Sequence, residues 1–277
     1  MALWASGVFV LPGLLAWGAV VFALVLHASL SHEVLHGHPF PSRRLSEALV
    51  LVNPGLLIPY LRFRDTHLAH HQDANLTDPY DDPETNYVDP VVWARMPRVV
   101  QTVMVFNNTL AGRMLIGPVV AQVLFVRGDW QAIRSGDLQV LKGWALHLPG
   151  VAFVLTLVWA SPMPVWAYLA ACYASVSVLK IRTFLEHQAH ERARGRTVIV
   201  EDRGLLAFLF LNNNFHVVHH MHPRVPWYRL PALYRANRAR YLTCNEGYRY
   251  GSYAEVFARH FLRAKDPVPH PLWSSDR

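Results

Sequence analysis

The sequence predicts an all-α integral membrane protein: a transmembrane helix bundle with interfacial or re-entrant helices and a histidine-rich cap facing the cytoplasm. Three observations predict it. Hydrophobic residues fill 52% of the 277 positions and charged residues only 16%, below the roughly 25% charged of soluble domains. Apolar runs long enough to cross or enter a bilayer recur along the chain. Histidine clusters stand where those runs end. The 9 Trp and 11 Tyr suit interfacial aromatic belts. A net charge of +7, mostly arginine, fits a cytoplasmic membrane face better than nucleic acid in so apolar a chain. Cys172 and Cys244 form no CxxC motif, which excludes a disulfide framework, a zinc ribbon or a built-in iron–sulfur cluster.

Val8–Leu30 carries no charge and is long enough to span roughly 30 Å of hydrocarbon. No Lys or Arg precedes Arg43, so this run reads as a retained span rather than a secretory signal. Leu45–Leu61 is apolar but broken by Asn53-Pro54-Gly55 and Pro59. Arg62–Glu84 is polar and ends in a proline-punctuated acidic loop, Asp78 to Glu84. Gln101–Val126 is apolar with interruptions at Asn107-Asn108, Gly112-Arg113 and Gly117-Pro118. Trp144–Trp159 and Val165–Leu179 read as two spans joined by Ser161-Pro162-Met163-Pro164. Residues 1–240 are expected to form the membrane-embedded domain and 241–277 a basic cytoplasmic tail.

Three histidine clusters punctuate this pattern: His32-Glu33-Val34-Leu35-His36, His67-Leu68-Ala69-His70-His71 and His216-Val217-Val218-His219-His220. Residues three and four apart share a helix face, so each His-x-x-His-His unit aims its imidazoles to one side. The set exceeds what one tetrahedral zinc can use, which points to two metals. If the clusters serve one site they lie on one side of the bilayer. Leu45–Leu61 and Gln101–Val126 must then return to their starting side, leaving about three crossings. Arg43, Arg44, Arg62, Arg64, Arg95, Arg98, Lys180 and Arg182 all flank the histidine side, which makes it cytoplasmic. His27, His147, His190, His260 and His270 stand alone and read as polar surface; His38 and His222 complete no pattern.

His32-Glu33-x-x-His36 also matches the zinc-protease signature, with Glu33 as base. An intramembrane zinc metalloprotease is therefore the alternative from another class, although it leaves the other clustered histidines without a role.

In order and spacing, the clusters resemble the histidine boxes of the membrane fatty-acid desaturase superfamily, which includes hydroxylases and carotenoid ketolases. The resemblance rests on His32-Glu33-Val34-Leu35-His36-Gly37, on Arg64-Asp65-Thr66-His67-Leu68-Ala69-His70-His71, and on Asn214-Phe215-His216-Val217-Val218-His219-His220 with the following Pro223, Pro226-Trp227-Tyr228 and Leu230-Pro231. Glu33 stands where the first box usually has Asp. The resemblance implies two iron ions held by His32, His36, His67, His70, His71, His216, His219 and His220. It adds His187, within Arg182-Thr183-Phe184-Leu185-Glu186-His187, as a further ligand.

It also implies O2 as co-substrate and a membrane lipid or acyl chain as substrate, with desaturation the first reading and hydroxylation or ketolation of a lipid or carotenoid the alternative. Electrons are expected from a separate ferredoxin, rubredoxin or cytochrome, at a bacterial inner membrane. Acidic groups should fix the ligand ring tautomers; the candidates are Glu33, Asp65, Asp73, Asp78 and Glu186, while Asn212, Asn213 and Asn214 either add a contact to the site or cap the third-box helix. Substrate identity, regiochemistry and oligomeric state are not encoded in these motifs.

Overall fold

Prolines, glycines and capping side chains cut the apolar runs at definite points. The computed structural model describes residues 1–71 and 73–273. It is mostly helical, with α1 (Ala2–Phe9), α2 (Gly13–Leu35), α3 (Arg43–Ala48), α4 (Tyr60–His70), α5 (Pro90–Arg95), α6 (Arg98–Asn107), α7 (Leu110–Leu115) and α8 (Gly117–Arg134). There follow α9 (Leu138–Trp159), α10 (Val165–Thr183), α11 (Leu205–Leu209), α12 (His216–Met221), α13 (Leu230–Ala236), α14 (Arg238–Cys244) and α15 (Tyr253–His260). A short parallel pair, β1 (Ile199–Val200) and β2 (Arg249–Tyr250), departs from the all-α expectation. Its cause is local, because Thr197-Val198-Ile199-Val200 is β-branched throughout and favours extended backbone. By contact the chain divides into two units, Met1–Asp65 with Pro118–Leu179 and Thr66–Gly117 with Lys180–Arg277.

In the first unit, α2 and α9 are long and apolar enough to cross a membrane. Their 23 and 22 residues rise roughly 33–35 Å. The run Val8–Leu30 is not one helix. Pro12 has no N–H to extend α1, Gly13 takes a φ of 50°, and α1 packs back on α2. Gly7 permits this approach: a Cβ there would lie 2.7 Å from Val20 Cγ2. The helix that follows instead runs on to Leu35 and carries His32. Trp4, Val20, Leu24, Val158 and Tyr168 share one apolar cluster.

Residues 49–59, expected to interrupt a span, are non-helical. Apolar surroundings would penalise their freed carbonyls, and side chains answer four of them. Tyr168 Oη donates to Pro54 O at 2.6 Å, His147 Nε2 to Leu56 O at 2.8 Å, Gln122 Nε2 to Leu57 O at 2.9 Å and Asn53 Nδ2 to Ile58 O at 2.9 Å. His147 is therefore a buried backbone cap and not polar surface. Arg62 and Asp129 form a part-buried two-point ion pair at 2.9–3.2 Å, and Trp144 Nε1 donates to the same carboxylate at 2.8 Å.

In the second unit, the interruption expected at Gly112-Arg113 falls inside α7. The chain reverses at Asn107–Thr109, and Thr109 Oγ1 caps α7 by accepting from Gly112 N–H at 3.0 Å. A Cβ on Gly112 would lie 1.8 Å from the Phe106 carbonyl oxygen. Gly112→Ala is expected to cost about 1–3 kcal/mol or more, read as a fall in melting temperature of the purified protein. An unchanged melting temperature would contradict this close approach.

β1 anchors the third histidine box. Val200 N–H donates to Asn214 O at 2.9 Å, and Val217 N–H to Val198 O at 3.2 Å. Ile199, Phe215, Val217, Val218, Leu230 and Tyr234 form the core beneath α12. Residues 241–273, set apart by composition as a tail, contribute β2 and α15 to this unit. Glu201 ties the region together by accepting from Arg238 Nε at 2.6 Å, Tyr234 Oη at 2.6 Å and Arg249. The Arg238 hydrogen bond is the largest influence on its carboxyl. Burial works against it, Tyr234 and Arg249 add to it, and the group is pulled down to about 2. Because the folded value lies below the ordinary carboxylate range of about 4.3, the contribution is complete above that pH and is lost as pH falls toward 2. Glu201→Gln should remove about 1 kcal/mol at neutral pH and flatten the acid limb of a stability–pH curve. A parallel acid limb in the variant would contradict the assignment.

Candidate metal centre

The second box folds where its spacing requires. His67 and His70 lie on the last turns of α4, and His71 follows its end. All three histidines of the third box are buried on α12. His187 sits between α10 and β1, in an antiparallel bridge with Thr197.

These seven rings of the second unit form two sets. His70, His187, His216 and His220 each offer a ligand atom within 4.8 Å of the others. His70 Nε2 is 2.9 Å and His216 Nε2 3.2 Å from His187 Nε2. His67, His71 and His219 likewise converge within 4.8 Å. His71 Nε2 is 3.0 Å from His67 Nε2 and 3.2 Å from His219 Nε2. In the first unit, His32 and His36 lie one turn apart at the end of α2, with ring centroids 4.9 Å apart.

The far ring nitrogens are held by oxygen. His70 Nδ1 is 2.7 Å from Asp82 Oδ1, and His67 Nδ1 is 2.9 Å from Glu84 Oε1. Asp82 also accepts the backbone N–H groups of Thr77 and Glu84, each at 2.9 Å. His216 Nδ1 is 3.1 Å from Asn213 Oδ1. Asn213 Nδ2 donates to Glu186 Oε1 at 3.2 Å, and Arg182 pairs with that carboxylate at 2.8 Å. An oxygen acceptor at Nδ1 places the ring proton there and leaves Nε2 with a free lone pair, the usual backing of a metal-bound imidazole.

The electrostatics divide the rings. Burial works against a charge on His70, but Glu84, Asp82 and Glu186 outweigh it and lift the ring to about 9. Burial, then the neighbouring rings, keep His187 and His216 well below the ordinary imidazole range. Burial alone would raise the Glu84 carboxyl, yet His67 and His70 bring it below its usual value. Converging imidazoles with carboxylates behind fit iron, zinc or copper once the proton that Glu84 and Asp82 favour on His70 has left.

Of the residues expected to orient the ligands, Glu186 lies on the His216 side, 3.8 Å from its Nδ1. Glu33 Oε1 is 4.0 Å from His32 Nδ1. Asp65 pairs with Arg64 at 2.7 Å, Asp78 accepts the N–H groups of Tyr80 and Asp81, and Asn212 donates to Trp227 O at 3.3 Å. The Asp73 side chain lies outside the described residues. Of the three asparagines before the third box, Asn213 is the one that meets a ligand ring; Asp82 and Glu84 were not singled out from the sequence. The signal that could have found Asp82 and Glu84 is the acidic loop directly after the second box, where buried Nδ1–H groups need acceptors.

Among the lone histidines, His270 is buried, with Nε2 3.3 Å from Thr77 Oγ1, so it too is not surface. His190 lies 3.4 Å from Glu246, and His260 Nε2 lies 2.9 Å from Tyr250 Oη.

Residues 6–253 match the sequence profile of the fatty acid desaturase family. The chain belongs to this family. Beta-carotene ketolases of two Paracoccus strains are 25% and 26% identical to it, over 79% and 78% of this chain and 75% of each relative. An endoplasmic-reticulum omega-3 fatty acid desaturase of Nicotiana tabacum is 21% identical over 73% of this chain and 58% of its own length. This desaturase-family chain is thus an oxygen-dependent oxidoreductase, a membrane protein and a metal binder. The metalloprotease reading of His32-Glu33-x-x-His36 is not supported, and those residues fall within the family match.

Proposed function

We propose that the protein is a di-iron enzyme that uses O2 to desaturate the acyl chain of a membrane lipid. The observation that supports this is the pair of imidazole sets, in which six of the seven rings face a neighbour through Nε2 and Nδ1 of His67 and His70 is backed by carboxylates. His70, His187, His216 and His220 are proposed to hold one iron. His67, His71 and His219 are proposed as ligands of the other, and His32 and His36 as ligands on the strength of their motif. The irons, when bound, supply the O2 chemistry needed to attack an unactivated C–H bond.

The chain's own residues do the rest. Asp82, Glu84 and Asn213 fix the ring tautomers, and the buried walls around α12 exclude water. Two electrons and two protons per turnover must accompany O2 if desaturation is to yield two waters, so a separate ferredoxin, rubredoxin or cytochrome is proposed as donor. The arginines that flank the spans support a location of this chemistry at the cytoplasmic face of a bacterial inner membrane. A second reading, ketolation of a carotenoid, draws support from the ketolase relatives, of which the chain covers 75%.

Expression in a host supplied with both lipid and β-carotene separates the readings by mass spectrometry. Desaturation removes two hydrogens from an acyl chain, whereas ketolation removes two hydrogens and adds one oxygen to the pigment. An unchanged lipid and pigment profile, with the electron donor supplied, would contradict both.

A further inference from the structure

The segment from Lys265 to His270 lies beyond the residues that match the family, yet it reaches the backing of the centre at three points. Lys265 Nζ donates to the main-chain carbonyl of His187, lies 3.2 Å from Tyr248 Oη and pairs with Asp266 at 2.9 Å. Tyr248 Oη in turn donates to Leu185 O at 2.6 Å. Asp266 accepts from Tyr87 Oη at 2.6 Å, and that oxygen accepts the N–H of Ala189 at 2.8 Å. The carbonyls of Leu185 and His187 and the amide of Ala189 are thus all held by one side-chain network. Further on, Val88 N–H donates to Val268 O at 3.0 Å and His270 N–H to Val88 O at 2.9 Å. The His270 ring meets Thr77, whose N–H donates to the carboxylate behind His70.

His187 needs such a frame. Its Nε2 stands between those of His70 and His216. Among the described residues, its Nδ1 faces Thr197 Oγ1 at 3.4 Å, the long limit of a hydrogen bond. The ring direction then depends on the backbone that carries it. An ammonium is costly to bury unless its three donors find acceptors. Here they meet a carboxylate, a phenol oxygen and the His187 carbonyl, so the charge is tied to that carbonyl's place.

Resting on the ligand reading above, we propose that Lys265 is a positioning residue of the metal centre, fixing the His187 main chain and through it the direction of the imidazole.

The test is anaerobic titration of the full-length protein in detergent with ferrous iron, and separately with cobalt(II) as a spectroscopic probe, comparing wild type, Lys265→Met and Lys265→Arg. Lys265→Met should keep its helical circular dichroism and bind one metal per chain as wild type does. It should bind the second about 10–100-fold more weakly and shift that site's cobalt absorption. Lys265→Arg, which retains charge and donors, should recover most of the affinity and the wild-type spectrum. Lys265→Met with both affinities and the spectrum unchanged would overturn the proposal. If Lys265→Met does not fold, Tyr248→Phe, which removes one acceptor and keeps the ring, should shift the same cobalt band; an unshifted band would equally overturn it. Wild-type protein that binds neither iron nor cobalt would instead sink the proposed function and this inference with it.

Discussion

His216→Ala will lower bound iron from the proposed two per chain to one or fewer and reduce turnover to background. His216 is 1% exposed on α12, and its Nε2 lies 3.2 Å from that of His187. Its removal takes one imidazole from a set of four and leaves Asn213 Oδ1 without its ring partner. The helix should survive, because Val217, Val218 and Phe215 carry its packing. Metal analysis and helical circular dichroism on the same sample separate loss of the site from loss of the fold. Full activity or two irons in the variant would refute the ligand set.

Asp82→Asn will weaken metal binding or turnover about 10–100-fold, the usual cost of losing an outer partner of a ligand. Asp82 is buried and accepts three N–H groups, from His70, Thr77 and Glu84. An amide keeps the volume but turns one acceptor into a donor, so one of those N–H groups loses its partner. An unsatisfied buried donor costs about 1–3 kcal/mol. The substitution should also change the pH response of the metal-free protein. Against the effect of burial, Glu84 and then Asp82 lift His70 to about 9 from its ordinary 6.5. A raised imidazole stabilises the fold fully below the unfolded value and loses that contribution as pH rises through the folded one. Metal-free wild type should therefore lose stability between about pH 6.5 and 9, and Asp82→Asn should move that loss to lower pH. Equal pH profiles of the two metal-free proteins would contradict the His70–Asp82 pair.

The parts of this centre that depend on helical spacing were readable in the chain. His67 and His70, or His216, His219 and His220, share a helix face whatever the rest of the fold does. The parts that depend on a returning loop were not. Asp82 and Glu84 lie 12 and 17 positions from the rings they hold, and no periodicity encodes that return. Acids adjacent to the boxes were the natural candidates, but Asp65 is taken by Arg64. Asn212 and Asn213 were indistinguishable by type; the φ of 56° at Asn212 turns the chain so that Asn213 meets His216. The same limit explains His147. A lone histidine in an apolar run reveals nothing about the Leu56 carbonyl it caps. Pro12 did mark the break between α1 and α2, yet an uncharged run looks continuous until the Gly7–Val20 contact shows the chain folding back.

The most direct test of the central claim is the metal content of the purified, full-length protein, taken together with a Mössbauer spectrum of iron-57-grown material. Two irons per chain in nitrogen- and oxygen-rich sites is the predicted result. One zinc per chain with no iron would contradict it.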